Sequence, residues 1–375
     1  MSKLFEETRI KGLTLPNRFV RSATWEGMAN EDGACTRPLI ECMVRLAKGG
    51  VGLIITGHAY VSAEGQAGRR QLGVYSDDLV AGLTEMTAAV HKAGGRIVLQ
   101  LAHAGCVANQ ELSGRQALGP SVLETDKGPV GREMTGEEIR GVVDAFGNAA
   151  VRAEKAGFDG VQIHAAHGYL LSQFLSPFFN KRNDAYGGSL ENRRRIVLEV
   201  LQRIKGRVGA GFPVMIKMNA QDFVQGGLSA DEALDVAEVL SESGIDAIEM
   251  SGGTAFSGKR TPVRIGKPDA RDDDVFYRQE AGKYKKKVAA PLMLVGGIRS
   301  FAVAERLVDD GTADYISMSR PLIREPDLIN RWKAGDLRKA ACISDNGCFR
   351  PAMAGKGIYC VVEEREKRKR RTNET

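Results

Sequence analysis

The feature that most constrains this chain is a unit repeated eight times: a short β-branched apolar run, a glycine or polar loop, then an amphipathic helical stretch ending in glycine. The apolar runs are 18–23, 51–56, 96–101, 160–164, 213–218, 247–251, 291–295 and 314–319. Each is five or six residues, the length of a strand covered on both faces. Helical stretches lie between them. In SADEALDVAEVLSESG, Leu234, Ala237 and Leu240 share a face, Ser229 and Glu232 form a capping box, and Gly244 ends the helix. SLENRRRIVLEVLQRIKGRVG and EEIRGVVDAFGNAAVRAEKAG follow the same layout. Helix-to-strand junctions fall at Gly49-Gly50, Gly94-Gly95, Gly157, Gly244 and Gly311, part of a glycine content of 44 in 375 residues, about 12% against a usual ~7%.

Eight strands, each followed by a helix, are the arithmetic of a (β/α)8 TIM barrel; a doubly wound sheet alternates in the same way but usually stops at fewer strands. The expected organisation is one barrel over residues 1–335 and an extension over 336–375 holding three cysteines and a basic tail. No stretch approaches the ~20 apolar residues of a membrane span, and the first residues lack the layout of a signal peptide. Six cysteines in 375 residues are too few for a disulfide scaffold, so a reducing cytoplasm is the default expectation. The net charge of +6 owes part of its sign to the tail, where residues 363–375 carry six Lys/Arg against four Glu with no aromatic residue among them. That composition reads as a solvated segment rather than a nucleic-acid surface.

In a barrel, chemistry collects where strands end. The strand ends read Ser22-Ala23-Thr24-Trp25, Gly57-His58, Gln100 to His103, His164 to Tyr169, Lys217 to Asn219, Ser251 to Gly253, Gly296 to Arg299 and Ser319-Arg320, and they hold four of the five histidines. Gly296-Gly297 and Ser319-Arg320 follow the seventh and eighth strands, where barrels often bind phosphate through backbone N–H groups and a planar cation. His164 and His167 are three residues apart, so their rings converge only if the strand stops and the chain turns at Gly168. A zinc reading lacks an obvious third ligand. Two histidines that only satisfy core hydrogen bonds form the plain reading; two donors on one developing oxyanion, with Tyr169 as the acid, form the productive one. Gln100 and Lys217 suit the pyrimidine edge of a flavin, whose N1 turns negative on reduction. A salt bridge from Lys217 to a neighbouring strand-end carboxylate is the alternative. Two long connections, 106–135 and 254–274, leave the same face, and the second carries Lys259, Arg260, Arg264, Lys267 and Arg271, suited to steering acidic ligands.

Four blocks carry a resemblance: NRFVRSATWEGM near the start, LQLAHAG at 99–105, AGFDGVQIHAAHGYLLSQFLSP at 156–177 and NKRNDAYGGSLENRRR at 180–195. They resemble the Old Yellow Enzyme family of FMN-dependent NAD(P)H:flavin oxidoreductases, over Leu4 to about Arg331. The resemblance implies an ene-reductase that moves a hydride from NADH or NADPH through FMN to an α,β-unsaturated substrate such as an enone or enoate. It implies that Ser22, Ala23, Thr24 and Trp25 line the flavin ring and that Gly57 and His58 lie beside it with backbone contacts. Gln100 and Lys217 (commonly Arg) would hold the pyrimidine end, and Gly297, Ser319 and Arg320 the phosphate. His164 and His167 would grip the substrate carbonyl, and Tyr169 would supply the proton. Trp25 stands where the family usually has Thr, Cys or His, and Gly27 where one branch has Tyr; both bear on substrate preference. Competing functions are an FMN barrel that oxidises amines or other substrates, and a non-catalytic flavin or phosphate-ligand binding protein. Partners are expected to be small molecules, with neither nucleic acid nor membrane, and homo-oligomerisation left open.

The extension resembles longer members related to dienoyl-CoA and enoate reductases, in which four cysteines hold an iron–sulfur cluster ahead of pyridine-nucleotide domains. Here Cys342, Cys348 and Cys360 match three positions, Asp345 occupies the second, and the interval to the third is one residue short. A cubane cluster takes four ligands, normally thiolates, and a carboxylate holds iron less firmly. A complete 4Fe-4S cluster is therefore not expected, and no resident metal is assigned. Anaerobic purification with iron and acid-labile sulfide assays should return little of either; stoichiometric amounts of both would reverse that expectation.

Overall fold

The computed structural model describes residues 2–126, 128–266 and 275–373. Eight parallel strands form a closed barrel: β1 (Phe19–Arg21), β2 (Leu53–Ile55), β3 (Ile97–Ala102), β4 (Val161–Ala165), β5 (Val214–Asn219), β6 (Ala247–Ser251), β7 (Leu292–Val295) and β8 (Tyr315–Met318). Closure runs through β8 onto β1, with Ile316 opposite Phe19, and through β2 onto β3, with Ile54 opposite Ile97. All eight expected strands are present. An antiparallel hairpin, Thr8–Ile10 with Leu13–Leu15, lies at the N-terminal end of the barrel and plugs it.

Seven principal helices surround the barrel: α1 (Arg37–Lys48), α2 (Val80–Lys92), α3 (Gly136–Lys155), α4 (Leu190–Lys205), α5 (Ala230–Glu242), α6 (Arg278–Lys287) and α7 (Phe301–Asp309). Two short helices, Arg320–Arg324 and Leu328–Lys333, follow β8. The capping box at Ser229 and Glu232 is formed, and a second one joins Thr135 to Glu138. On α5 the buried stripe is Ala233, Val236, Ala237 and Leu240, with Leu234 only partly covered at its edge. Gly50, Gly94, Gly157, Gly244 and Gly311 all adopt left-handed backbone where a helix turns into the next strand, which a side chain would resist.

The barrel lumen has two layers. Period-two alternation turns Val20, Leu53, Ile55, Val98, Met215, Ala247, Met293 and Tyr315 inward, where they pack on Ile10, Leu13 and Leu15 of the hairpin. One step further along the strands the corresponding residues are Ser22, Gln100, Gln162, Lys217, Glu249 and Ser317, all buried. A dry floor thus supports a polar layer that opens at the C-terminal ends.

The extension packs against the first strand end. Cys348, Ala352 and Ile358 cluster with Trp25, Met28, Ile323 and Phe349, and the Ile358 N–H donates to the Glu26 carbonyl (2.9 Å). A charged helix, Val361–Asn373, closes the described chain, with Glu363–Lys367 and Glu364–Arg368 ion pairs one turn apart. Cys342, Asp345, Cys348 and Cys360 line one small cavity with Arg320 and Arg324. Among the described residues no helix is long and apolar enough to cross a membrane.

An aspartate just before each of β4, β6 and β8 secures the start of the strand preceding it. Asp159 accepts from the Ile97 N–H (2.7 Å), Asp246 from Val214 (2.8 Å) and Asp314 from Leu292 (2.7 Å). Each buries a backbone donor that would otherwise go unpaired. Replacing any one with Ala should cost about 1–3 kcal/mol, seen as a lower urea midpoint with the slope unchanged. A midpoint equal to wild type would show that the bond contributes nothing.

Candidate functional site

A cavity of about 300 Å³ opens above the polar layer. Its walls come from all around the barrel and include Ser22, Ala23, Thr24, Trp25, His58, Gln100, His164, His167, Tyr169 and Lys217. Ser251, Tyr277, Phe276 and Phe349 also line it. A second cavity of about 230 Å³ shares Phe276, Val295, Gly296 and Ser319 with the first, and adds Gly297, Arg299, Arg264, Lys259 and Arg320. The two together make one elongated recess, with a chamber whose walls mix polar and apolar side chains and with a basic end.

The histidine pair converges because the chain turns where the spacing requires. Strand β4 ends at Ala165, His167 takes a left-handed φ of 65° and Gly168 one of 77°. A non-glycine residue in that region is strained unless its surroundings hold it. Here Asn219 does so: its Oδ1 accepts from the His167 N–H (3.1 Å), while its Nδ2 donates to Asp222 (2.8 Å) and to the Gly253 carbonyl (3.2 Å). The His167 Nε2 shares a 2.8 Å hydrogen bond with the Ser251 hydroxyl, which fixes the ring. The His164 and His167 ring centres end 5.2 Å apart, and Tyr169 lies 4.9 Å from His164.

Burial sets the protonation states. Loss of water holds both His164 and His167 well below the ordinary histidine value, with nearby positive charge adding to the effect. The same cause lowers His58 to about 4 and raises Tyr169 to about 12. At neutral pH the site therefore holds neutral imidazoles and a protonated phenol. The His164 Nδ1 is buried with no partner in the protein. Such an arrangement can donate hydrogen bonds to one oxygen and deliver a proton beside it.

His58 acts differently from expectation. Its side chain, not only its backbone, enters the site: Nε2 and the Tyr169 hydroxyl share a 3.0 Å hydrogen bond. Gly57 does not line the recess. Its N–H donates to Glu26 Oε1 (3.0 Å), Glu26 pairs with Arg21 (2.6 Å), and a Cβ there would lie 2.2 Å from the Glu26 carboxylate. Gly57 thus packs the first strand end from behind. Lys217 is paired as the salt-bridge alternative anticipated, with Glu249 Oε2 at 3.5 Å, while also reaching the cavity and donating to Ser22 Oγ (2.8 Å). Burial lowers its affinity for a proton and Glu249 opposes that effect.

At the basic end, Arg320 Nη1 donates to the Arg264 carbonyl (2.8 Å) and Asn346 Oδ1 (2.8 Å), so loop and extension orient it. Arg264 itself stacks on Phe276, its guanidinium 4.2 Å from the ring centre, which makes it a wall as much as a charge. Lys267 and Arg271 of the same loop lie outside the described residues. Sequence reasoning missed Ser251 and Asn219 as supports of His167, and Phe276, Tyr277 and Phe349 as walls. A charged residue inside the apolar run AIEMS was the available sign for Glu249; the three aromatic walls carry no periodic signal.

A sequence profile of the NADH:flavin oxidoreductase / NADH oxidase family matches residues 3–338. An NADH oxidase from Thermoanaerobacter brockii is 36% identical over 382 residues, covering 96% of this chain and 58% of that protein. A solved 2-naphthoyl-CoA reductase superposes with a TM-score of 0.88 at 27% identity, over 96% of this chain and 56% of that one. The chain spans little more than half the length of these two longer relatives. An Old Yellow Enzyme homologue from Zymomonas mobilis gives a TM-score of 0.76 at 31% identity, over 90% of this chain and 94% of that one.

The neutral state of His58 has a pH consequence. Its folded value lies below the ordinary 6.5, so the unfolded chain binds the proton more readily. The stability tied to its neutral state is complete above pH 6.5 and is lost as pH falls toward about 4. His58→Asn should therefore flatten the fall in unfolding free energy across that window, measured by urea titrations at successive pH values. A slope identical to wild type would show that His58 is protonated in the fold.

Proposed function

The chain belongs to the NADH:flavin oxidoreductase / NADH oxidase family, and we propose that it is an FMN-dependent NAD(P)H oxidoreductase that reduces activated C=C bonds of enones and enoates. The observation that carries this reading is the convergence of His164, His167 and Tyr169 on one point of the cavity wall.

The residues fit FMN. A chamber with apolar and polar walls joined to a basic end matches a flat heteroaromatic ring joined to a phosphate, and several buried polar atoms facing the recess have no protein partner, among them His164 Nδ1 and Ser317 Oγ. Ser22, Ala23, Thr24 and Trp25 would line the ring, Gln100 and Lys217 its pyrimidine edge, and Gly297, Ser319 and Arg320 the phosphate. Bound FMN would supply the hydride chemistry between NAD(P)H and the alkene.

The protein's own part is positioning and proton delivery. His164 and His167, both neutral, donate to the substrate carbonyl oxygen and stabilise it as negative charge develops there. Ser251 keeps the His167 ring oriented, and Asn219 keeps its backbone in the turn. The Tyr169 hydroxyl, retaining its proton at neutral pH, transfers it to the α-carbon. His58 holds that hydroxyl toward the histidine pair.

The purified protein should be yellow, bleach with NADH or NADPH under anaerobic conditions, and recolour with cyclohexenone but not with amines. His164→Ala should slow the recolouring by about 10²–10³-fold and leave bleaching largely intact. Recolouring at the wild-type rate would remove the oxyanion role, and recolouring by amines alone would favour a dehydrogenase.

A further inference from the structure

Four inward residues of the polar layer form a continuous hydrogen-bonded chain. Gln100 Nε2 donates to Gln162 Oε1 (2.7 Å), and Gln162 Nε2 donates to Glu249 Oε2 (2.9 Å). The Lys217 ammonium sits 3.5 Å from that same oxygen. Gln100 and Lys217 reach the cavity; Gln162 and Glu249, opposite them on neighbouring strands, do not line it and are both 0% exposed. The other carboxylate oxygen, Glu249 Oε1, has no partner at all.

A buried carboxylate with an unpaired oxygen is costly, and the layer directly below has no charged residue, only Val, Leu, Ile, Met, Ala and Tyr. What the carboxylate provides is polarity. A carboxylate only accepts hydrogen bonds, so Gln162 must turn its NH2 toward Glu249 and its oxygen toward Gln100. Gln100 must then turn one N–H of its own NH2 toward Gln162, which fixes its carbonyl oxygen on the opposite side of the amide, toward the cavity. Lys217, on the other side of the same carboxylate, only donates. One buried anion thus dictates that the chamber presents an acceptor from Gln100 and a donor from Lys217.

We propose that Glu249 is a positioning residue that presets both halves of this edge: through Gln162 it locks the acceptor face of Gln100, and by direct contact it holds and partly offsets the charge of Lys217. The matching ligand edge carries an N–H beside carbonyl oxygens, as the pyrimidine edge of a flavin does. The inference rests on FMN occupying the recess. It assigns to Glu249 the tuning of how strongly Lys217 favours negative charge on the reduced ring. Glutamine at 249 offers either polarity and no charge, so both the lock and the offset go with it.

The test uses the FMN-loaded full chain and reads the two-electron midpoint potential and the FMN dissociation constant. Glu249→Gln should favour the reduced state at least tenfold, an upward shift of about 30 mV, because Lys217 then acts without its counter-charge. Gln162→Met keeps the charge and cuts the link; it should weaken FMN binding about tenfold while moving the potential less than Glu249→Gln does. A potential that stays put or falls in Glu249→Gln, or wild-type FMN affinity in Gln162→Met, would overturn the proposal. Should Glu249→Gln fail to fold, Gln162→Met decides alone. A wild-type protein that binds no FMN would overturn this proposal and the functional reading together; an FMN-replete wild type with unaltered variants would overturn this one only.

Discussion

The site depends on the two-layer lumen. Strand alternation sends every second side chain inward, and closure of β1 to β8 makes those side chains face one another across a short distance. The lower layer is apolar and is plugged by the N-terminal hairpin, so water cannot enter from below. The polar layer above it is therefore desolvated, and each of its members must find a partner in the layer or point into the recess. That single constraint accounts for the neutral histidines, the protonated tyrosine and the paired lysine.

The turn at His167 shows how the barrel converts backbone strain into placement. A straight continuation of β4 would send His164 and His167 to opposite faces. The left-handed residue folds the chain back, and its cost is met by hydrogen bonds from the ends of β5 and β6, through Asn219 and Ser251. Three neighbouring strands therefore share the placement of the His167 ring. The His58 ring, arriving from the end of β2, does the same for Tyr169 from the other side.

Charge in the recess is arranged with equal economy. Lys217 is a buried cation whose counter-ion sits opposite it on the neighbouring strand and off the cavity wall, so its ammonium remains on that wall. Arg21, by contrast, is fully engaged with Glu26, the Ile55 carbonyl and the Thr24 carbonyl, and serves to tie the first two strand ends together. Gly57 belongs to that tie, which explains why the chain has no side chain there. The extension adds to the site as well, since Phe349 forms part of the wall and Asn346 orients Arg320.

The eightfold alternation, the helix cap at Ser229, the glycine stops and the position of His164 and His167 at one strand end are legible in the residues alone. All of these are written in local periodicity: two residues for a strand, 3.6 for a helix, and single positions for caps and turns. The sequence also places Lys217, Gln100, Ser319 and Arg320 at strand ends, where the recess is built. Which side chains face each other is set by the folded barrel. His58 meets Tyr169 across 111 residues of chain, and Gln162 meets Glu249 across 87. The aromatic walls come from loops with no repeating pattern. Those meetings depend on strand order, register and closure, quantities fixed by the packing of the whole barrel and carried by no short segment of it.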